Sequence, residues 1–271
     1  MVQTTLPHTR PAFHSFLRRN GQLQVALSAH PLVGLPYGRY PRLLLAWITT
    51  QAVRTRQRHL EVGSSLSSFM TELGLLPRGG RSGTSYRLRE QMRRLFSTTI
   101  ACSQDSPGQR EWQDARFRPA EECPLWWDPK CPELVALWES SVTLSSDFFQ
   151  EITDRPVPVD FRTLKALRSP LALDIYCWLT YRMSYLERPS KTIPWRALQS
   201  QFGCDYTRTR TFKQRFVDKI SQVLVLYPEA RLTIRRSGLV PSPSPTHISP
   251  KPTHYSVWHG LETSSVPAHS A

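Results

Sequence analysis

The sequence predicts a mainly α, α+β chain: two winged-helix (helix-turn-helix) domains in tandem, each with a small β-wing. Three observations carry this expectation. A short helix ending in glycine, followed by a turn and a basic amphipathic helix, occurs twice. LSSFMTELG at 66–74 precedes RSGTSYRLREQMRRLF at 81–96, and WRALQSQFG at 195–203 precedes YTRTRTFKQRFVDKI at 206–220. The formal net charge is +14 with a pI near 10.1, an excess carried mainly by arginine. A length of 271 residues allows two modest cores, which makes two domains the natural starting expectation.

Residues 1–35 are polar and basic with scattered histidine and proline, and read as a flexible basic arm. The first domain spans 36–150. Its first helix starts at Pro41, runs through Leu44, Leu45, Ile48 and Ala52 to a basic end at Arg54, Arg56 and Arg58, and is stopped by Gly63. Ser64 or Ser65 caps a second helix that buries Leu66, Phe69, Met70 and Leu73. In the third helix, Leu88, Met92, Leu95 and Phe96 form an apolar stripe, and the face bearing Arg87, Gln91 and Arg94 is expected to look outward. Periodicity then weakens, and residues 103–141, with Trp112, Trp126, Trp127 and Trp138, read as a wing or an insertion.

The second domain spans 151–240. Asp160 caps a short helix holding Phe161, Leu164 and Leu167, and Ser169 with Pro170 starts a long one whose apolar face includes Leu171, Ile175, Trp178, Leu179 and Met183. Pro194 opens the helix 195–202 and Gly203 ends it. Thr207 is expected to cap the basic helix, in which Phe212, Phe216, Ile220 and Val223 form the buried side. The apolar run 223–227 and the stretch 231–240 read as a β-hairpin wing. Residues 241–271 begin PSPSPTHISPKPTH and read as a disordered Pro/Ser-rich tail.

Basic helices after a turn suit double-stranded DNA, because arginine's planar fork matches phosphates and guanine edges. Candidates for base reading are Arg87, Gln91 and Arg94 in the first unit and Arg208, Thr211 and Arg215 in the second. Arg81, Arg93, Arg210, Lys213 and Lys219 are candidates for phosphate contacts.

Other classes are disfavoured. The five cysteines show no paired zinc spacing, so no metal or cofactor is expected. No apolar run approaches a membrane span, and a cytoplasmic location is expected. A rolling-circle nickase would need a tyrosine nucleophile beside closely spaced metal-binding histidines. Tyr181 and Tyr185 are present but no such histidine pair is, and no enzymatic activity is expected.

PVPVDFRTLKALRSPLALDIYCWLTYRMSYL at 156–186, IPWRALQSQFG at 193–203 and YPEARLTIRRSGLVPSPSP at 227–245 resemble plasmid replication initiators of the RepA type. LPYGRYPRLLLAWITTQAVRT at 35–55 and LREQMRRLF at 88–96 are similar to the same family. The resemblance implies winged-helix units that bind repeated origin sequences (iterons) and open the DNA. It also implies host partners, namely the host initiator and the replicative helicase or its loader, and a homodimer that is restrained relative to the monomer. The family's final strand continues as apolar sequence where Pro241 stands here, so a short last strand is expected. A transcriptional repressor of its own gene would need the same groove-reading geometry, and the residues leave that alternative open.

Overall fold

The computed structural model describes residues 5–63, 65–80, 82–104, 113–122, 141–154, 156–203 and 206–248. The chain is α+β, with eight helices and small antiparallel sheets among these residues.

The segment expected to be a loose arm instead folds as strands β1 (Ser15–Asn20) and β2 (Leu23–Ser28), joined by a two-residue turn. Gly21 takes the left-handed backbone (φ 61°) that such a turn requires. Val25 and Leu27 alternate inward and pack with Leu6, Leu35 and Ile100. That apolar alternation, together with the Asn20-Gly21 turn signal, is what the reading of this segment as basic and polar passed over.

Helix α1 (Arg39–Thr55) follows and ends where Arg56 adopts left-handed backbone (φ 57°). Arg58 therefore lies beyond the helix, next to strand β3 (His59–Glu61). Helix α2 (Leu66–Glu72) is capped by Ser65, whose hydroxyl accepts from the Ser68 amide at 3.1 Å. Helix α3 (Thr84–Phe96) starts three residues later than expected. The preceding loop is tight: Thr84 Oγ1 accepts from the Arg78 amide at 3.0 Å and donates to the Leu76 carbonyl. A Cβ on Gly83 would stand 2.1 Å from the Arg78 carbonyl oxygen, which makes glycine necessary there.

Strands β4 (Thr99–Gln104) and β5 (Gln113–Phe117) extend the N-terminal hairpin into one sheet of order β1-β2-β4-β5. Strands β6 (Ala120–Glu122) and β7 (Ser141–Leu144) join β3 in a second sheet, order β3-β7-β6. Trp112, Trp126, Trp127 and Trp138 fall outside the described residues. Helix α4 (Ser146–Asp154) was not foreseen; the Ser145 hydroxyl accepts from the Phe148 amide at its start.

Asp160 caps α5 (Phe161–Ala166) and Ser169 caps α6 (Pro170–Met183), as the sequence predicts. Leu171, Ile175, Trp178, Leu179 and Met183 of α6 are all buried. Cys177, on the same helix, is a core thiol that burial pushes up to about 12.

Strand β8 (Ile193–Pro194), helices α7 (Trp195–Phe202) and α8 (Thr209–Leu226), and strands β9 (Arg231–Ile234) and β10 (Gly238–Ser242) complete the chain. The third sheet has order β8-β10-β9. Residues 223–226 continue α8 and do not form a strand, because Val223 extends the buried row Phe212, Phe216 and Ile220 at helical spacing. The hairpin is built within 231–242 alone. Thr207 does not cap α8: Arg208 holds that position without a side-chain cap, and Thr209 Oγ1 donates to Gln199 Oε1 at 2.6 Å.

Strand β10 runs through Pro241, which pairs with Leu232. Its carbonyl accepts from the Ser190 amide on the β8 side, so the donor that proline lacks would have pointed there too. The strand β8 pairs only as far as Leu239, and no ladder bond is lost. Residues beyond β10, expected to be tail, pack as well. The His247 ring stacks on Tyr227 at 4.7 Å between centroids, its Nδ1 shares a hydrogen bond with the Tyr176 hydroxyl at 2.9 Å, and the Tyr227 hydroxyl donates to the Pro245 carbonyl. A buried Tyr pair with polar tips to satisfy explains why the low-apolarity segment 243–248 packs against the core.

One continuous apolar cluster runs from Leu43 to Leu239 and so crosses residue 150. The two halves are further joined by a buried polar group. Arg42 on α1 donates to both oxygens of Asp174 on α6 at 2.7 Å, and His8 Nε2 donates to the same carboxylate at 2.8 Å. Arg42 also donates to the carbonyls of Leu6, Pro7 and Gly38. Burial pushes the Asp174 carboxyl up, but the Arg42 guanidinium and His8 outweigh it and hold it below the ordinary aspartate range.

Asp174→Asn should lower the unfolding free energy by about 3 kcal/mol or more, because it leaves a buried guanidinium without its charge partner. Since the folded value is depressed, this contribution is complete above the unfolded carboxylate value of about 4 and is lost as pH falls through the lower folded value. Urea unfolding of the native and D174N proteins should therefore differ by a constant amount near neutral pH and converge in acid.

Candidate nucleic-acid interface

The two basic helices differ in what their neighbours leave open. On α3, the stripe expected to face outward is partly covered. Gln91 and Arg94 are 4% and 8% exposed. The Gln91 side-chain carbonyl accepts from the Tyr37 amide at 2.8 Å. Arg94 donates to Glu90 at 2.9 Å and to the Leu35 carbonyl at 3.3 Å, and lies over the Tyr37 ring. The expectation that these two side chains look outward is corrected on this point: residues 34–37 lie against that side of the helix. Arg87 stays exposed, as does Arg93, which shares Glu90 at 3.1 Å. The outward stripe of α3 therefore runs through Tyr86, half-buried Arg89 and Arg93. Arg81 lies outside the described residues.

On α8 the picture is open. Arg208, Arg210, Thr211 and Arg215 are all exposed and share the N-terminal half of the helix and its approach. The segment 206–217 contains no acidic residue. Lys213 is half-buried, with its ammonium 5.1 Å from the Trp195 ring centroid. Lys219 is half-buried and pairs with Asp218 at 2.8 Å.

The turn that delivers α8 depends on α7. Gln199 donates to the Tyr206 carbonyl at 2.8 Å and accepts from Thr209, so one amide holds both sides of the turn. A Cβ on Gly203 would come within 2.6 Å of the Phe212 ring, so glycine here lets α8 pack closely on α7.

The hairpin β9–β10 adds cations that sequence reading did not single out. Arg231, Arg235 and Arg236 are exposed, and Arg235 and Arg236 form its turn with Ser237, closed by the Arg235 amide donating to the Gly238 carbonyl at 2.8 Å. The Arg-Arg-Ser-Gly run between two short apolar stretches was the available signal.

Among the described residues there is no group of three or more His, Cys, Asp or Glu positioned to hold a metal ion, and no helix is long and apolar enough to cross a membrane. Cys123, Cys131 and Cys204 lie outside the described residues.

Comparison with solved structures identifies the fold class. The crystal structure of domains 2 and 3 of RctB (selenomethionine derivatives) superposes with a TM-score of 0.57 at 12% identity, covering 89% of this chain and 93% of that one. The chain is thus an α+β protein sharing the fold of those two RctB domains. The family model for plasmid-encoded RepA protein matches residues 35–197, well over half the sequence. The chain belongs to the plasmid-encoded RepA family of plasmid replication proteins. No curated protein matches it. The family match includes α1 to α6 and reaches the start of α7; α8 and its hairpin lie beyond it.

Arg94→Ala should cost about 1–3 kcal/mol of stability, since it leaves the Leu35 carbonyl and Glu90 without a buried partner. Arg93→Ala, half-exposed on the same helix, should stay within about 0.5 kcal/mol of the native protein. Parallel thermal melts of the two variants check this contrast.

Proposed function

We propose that this protein initiates plasmid replication by binding repeated sequences in double-stranded DNA at the plasmid origin, a binding role and not a catalytic one. The observation that carries this reading is the exposed cationic N-terminal half of α8, free of acidic residues over 206–217, in a member of a plasmid replication family. The order α6, β8, α7, α8, β9, β10 with sheet order β8-β10-β9 supports reading this half as a winged helix, with α8 in the major groove.

Arg208, Thr211 and Arg215 are the base-reading candidates. Arg210, Lys213 and Lys219 are better suited to phosphates, because they flank the outward centre of the helix. In the first helix pair, Arg87 and Arg93 supply a second, weaker contact, since Glu90 offsets part of the Arg93 charge and Arg94 is turned inward. Two such helices on one chain would meet neighbouring grooves of one duplex. Opening of the origin would then depend on host partners, the host initiator and the replicative helicase or its loader. A homodimer off DNA belongs to the same proposal.

Affinity should fall linearly with the logarithm of salt concentration, by about 0.9 per phosphate neutralised. Arg210→Ala should reduce that slope by about one and weaken all sites alike. Arg215→Ala should cost about 1–3 kcal/mol at a single base position and leave the others nearly unchanged. Binding isotherms over a panel of single-base site variants separate the two. A footprint on plasmid DNA flanking the gene should show protection phased over tandem repeats. One protected block over the promoter would favour a repressor of the protein's own gene.

A further inference from the structure

Trp195 stands between the two cationic elements of the second half, and its contacts go to both. It is 6% exposed. Its indole N–H donates to the Arg235 carbonyl at 3.2 Å and its backbone amide to the Ser237 carbonyl at 3.4 Å. One residue thereby holds two of the carbonyls of the hairpin turn. Its ring carries the Lys213 ammonium at 5.1 Å and meets the Phe216 ring edge-on at 6.1 Å, and both of those residues belong to α8. At the base of the hairpin, a Cβ on Gly238 would lie 2.0 Å from the Ile193 carbonyl oxygen, so the hairpin is pressed against β8, the residue pair that leads into Trp195.

Resting on the reading of α8 as the DNA-facing helix, we infer that Trp195 is a positioning residue: it fixes the Arg235–Arg236 turn relative to α8 so that both arginines meet the phosphate backbone flanking the groove that α8 occupies. The physical ground is entropic. An arginine-bearing hairpin of two short strands is worth little to binding if its turn wanders, because ordering it must then be offset at the moment of contact. Anchoring the turn through its main chain leaves both guanidinium groups directed to solvent while removing that cost. A tryptophan meets the need because one side chain supplies a donor for the turn and a π-face for the lysine of the neighbouring helix.

The test is a double-mutant cycle on the full chain, read by fluorescence anisotropy on a duplex carrying the plasmid's origin repeats. The four proteins of the cycle are the native chain, Arg235→Ala/Arg236→Ala, Trp195→Phe, and all three substitutions together, with Arg215→Ala added to the native and Trp195→Phe backgrounds as a control. Trp195→Phe keeps an aromatic ring against Phe216 and removes the indole donor to Arg235, leaving the backbone bond to Ser237. In the native background, loss of the two arginines should weaken binding by roughly tenfold or more and lower the salt slope by about two. In the Trp195→Phe background the same loss should shrink to about threefold or less, whereas Arg215→Ala should keep its full effect in both. Circular dichroism establishes that Trp195→Phe folds. Should it not, Trp195→Leu, which also lacks the donor, replaces it, and loss of flanking protection alone in the footprint of the hairpin variant supports the hairpin contact. Equal losses in both backgrounds would overturn the role of Trp195, and no loss in either would take the hairpin off the DNA. Native protein that binds no origin duplex would overturn the DNA-binding reading, and this inference with it.

Discussion

The ion pair between Arg42 and Asp174 decides how the rest of the molecule is arranged. It joins α1 to α6 across the middle of the chain, and the same guanidinium gathers the carbonyls of Leu6, Pro7 and Gly38. Charges at this depth are costly unless every hydrogen-bonding position is filled. Here both carboxylate oxygens and the guanidinium nitrogens are engaged, with His8 completing the set. The N-terminal segment is therefore a structural member whose position fixes what the following residues can cover.

That dependence reaches the proposed DNA surface. With residues 6–8 tied at Asp174, the chain passes through Leu35 and Tyr37 across α3, and there it occupies Gln91 and Arg94. The first basic helix keeps only part of its cationic face as a result. The second has no such cover, and its arginines lie in the open next to the hairpin turn. Two segments that look equivalent as amphipathic patterns are thus unequal as surfaces.

The sequence made the helices of the second half legible because their boundaries are chemical: Asp160, Ser169 with Pro170, and Pro194 with Gly203 are start and stop signals that act locally. Family membership was legible too, from long segments of the middle of the chain. What could not be read was anything depending on a distant partner. Gln91 and Arg94 are polar, and polarity predicts exposure unless a remote segment supplies bonds for them; residues 35 and 37 do so. The first strands were hidden by a basic composition although Val25 and Leu27 alternate correctly. Residues 243–248 have too little apolar content to predict order, and their packing comes from aromatic side chains at 176 and 227. The proposed DNA-facing roles of Arg208, Thr211 and Arg215 rest on exposure and charge; periodicity predicted that exposure on α8 and mispredicted it for Gln91 and Arg94 on α3.

Helix α6 is gripped on two sides by segments far from it in the chain: residues 6–8 reach it through Asp174, and residues 245–248 through Tyr176 and Tyr227. Closing those contacts means bringing together positions separated by 166 residues on one side and 71 on the other. During synthesis, the N-terminal segment must wait for α6 to leave the ribosome, and α6 in turn lacks its partner His247 until that residue has emerged. Folding of this protein is consequently a late, long-range event, and until it is complete the cationic helices have no fixed frame from which to act.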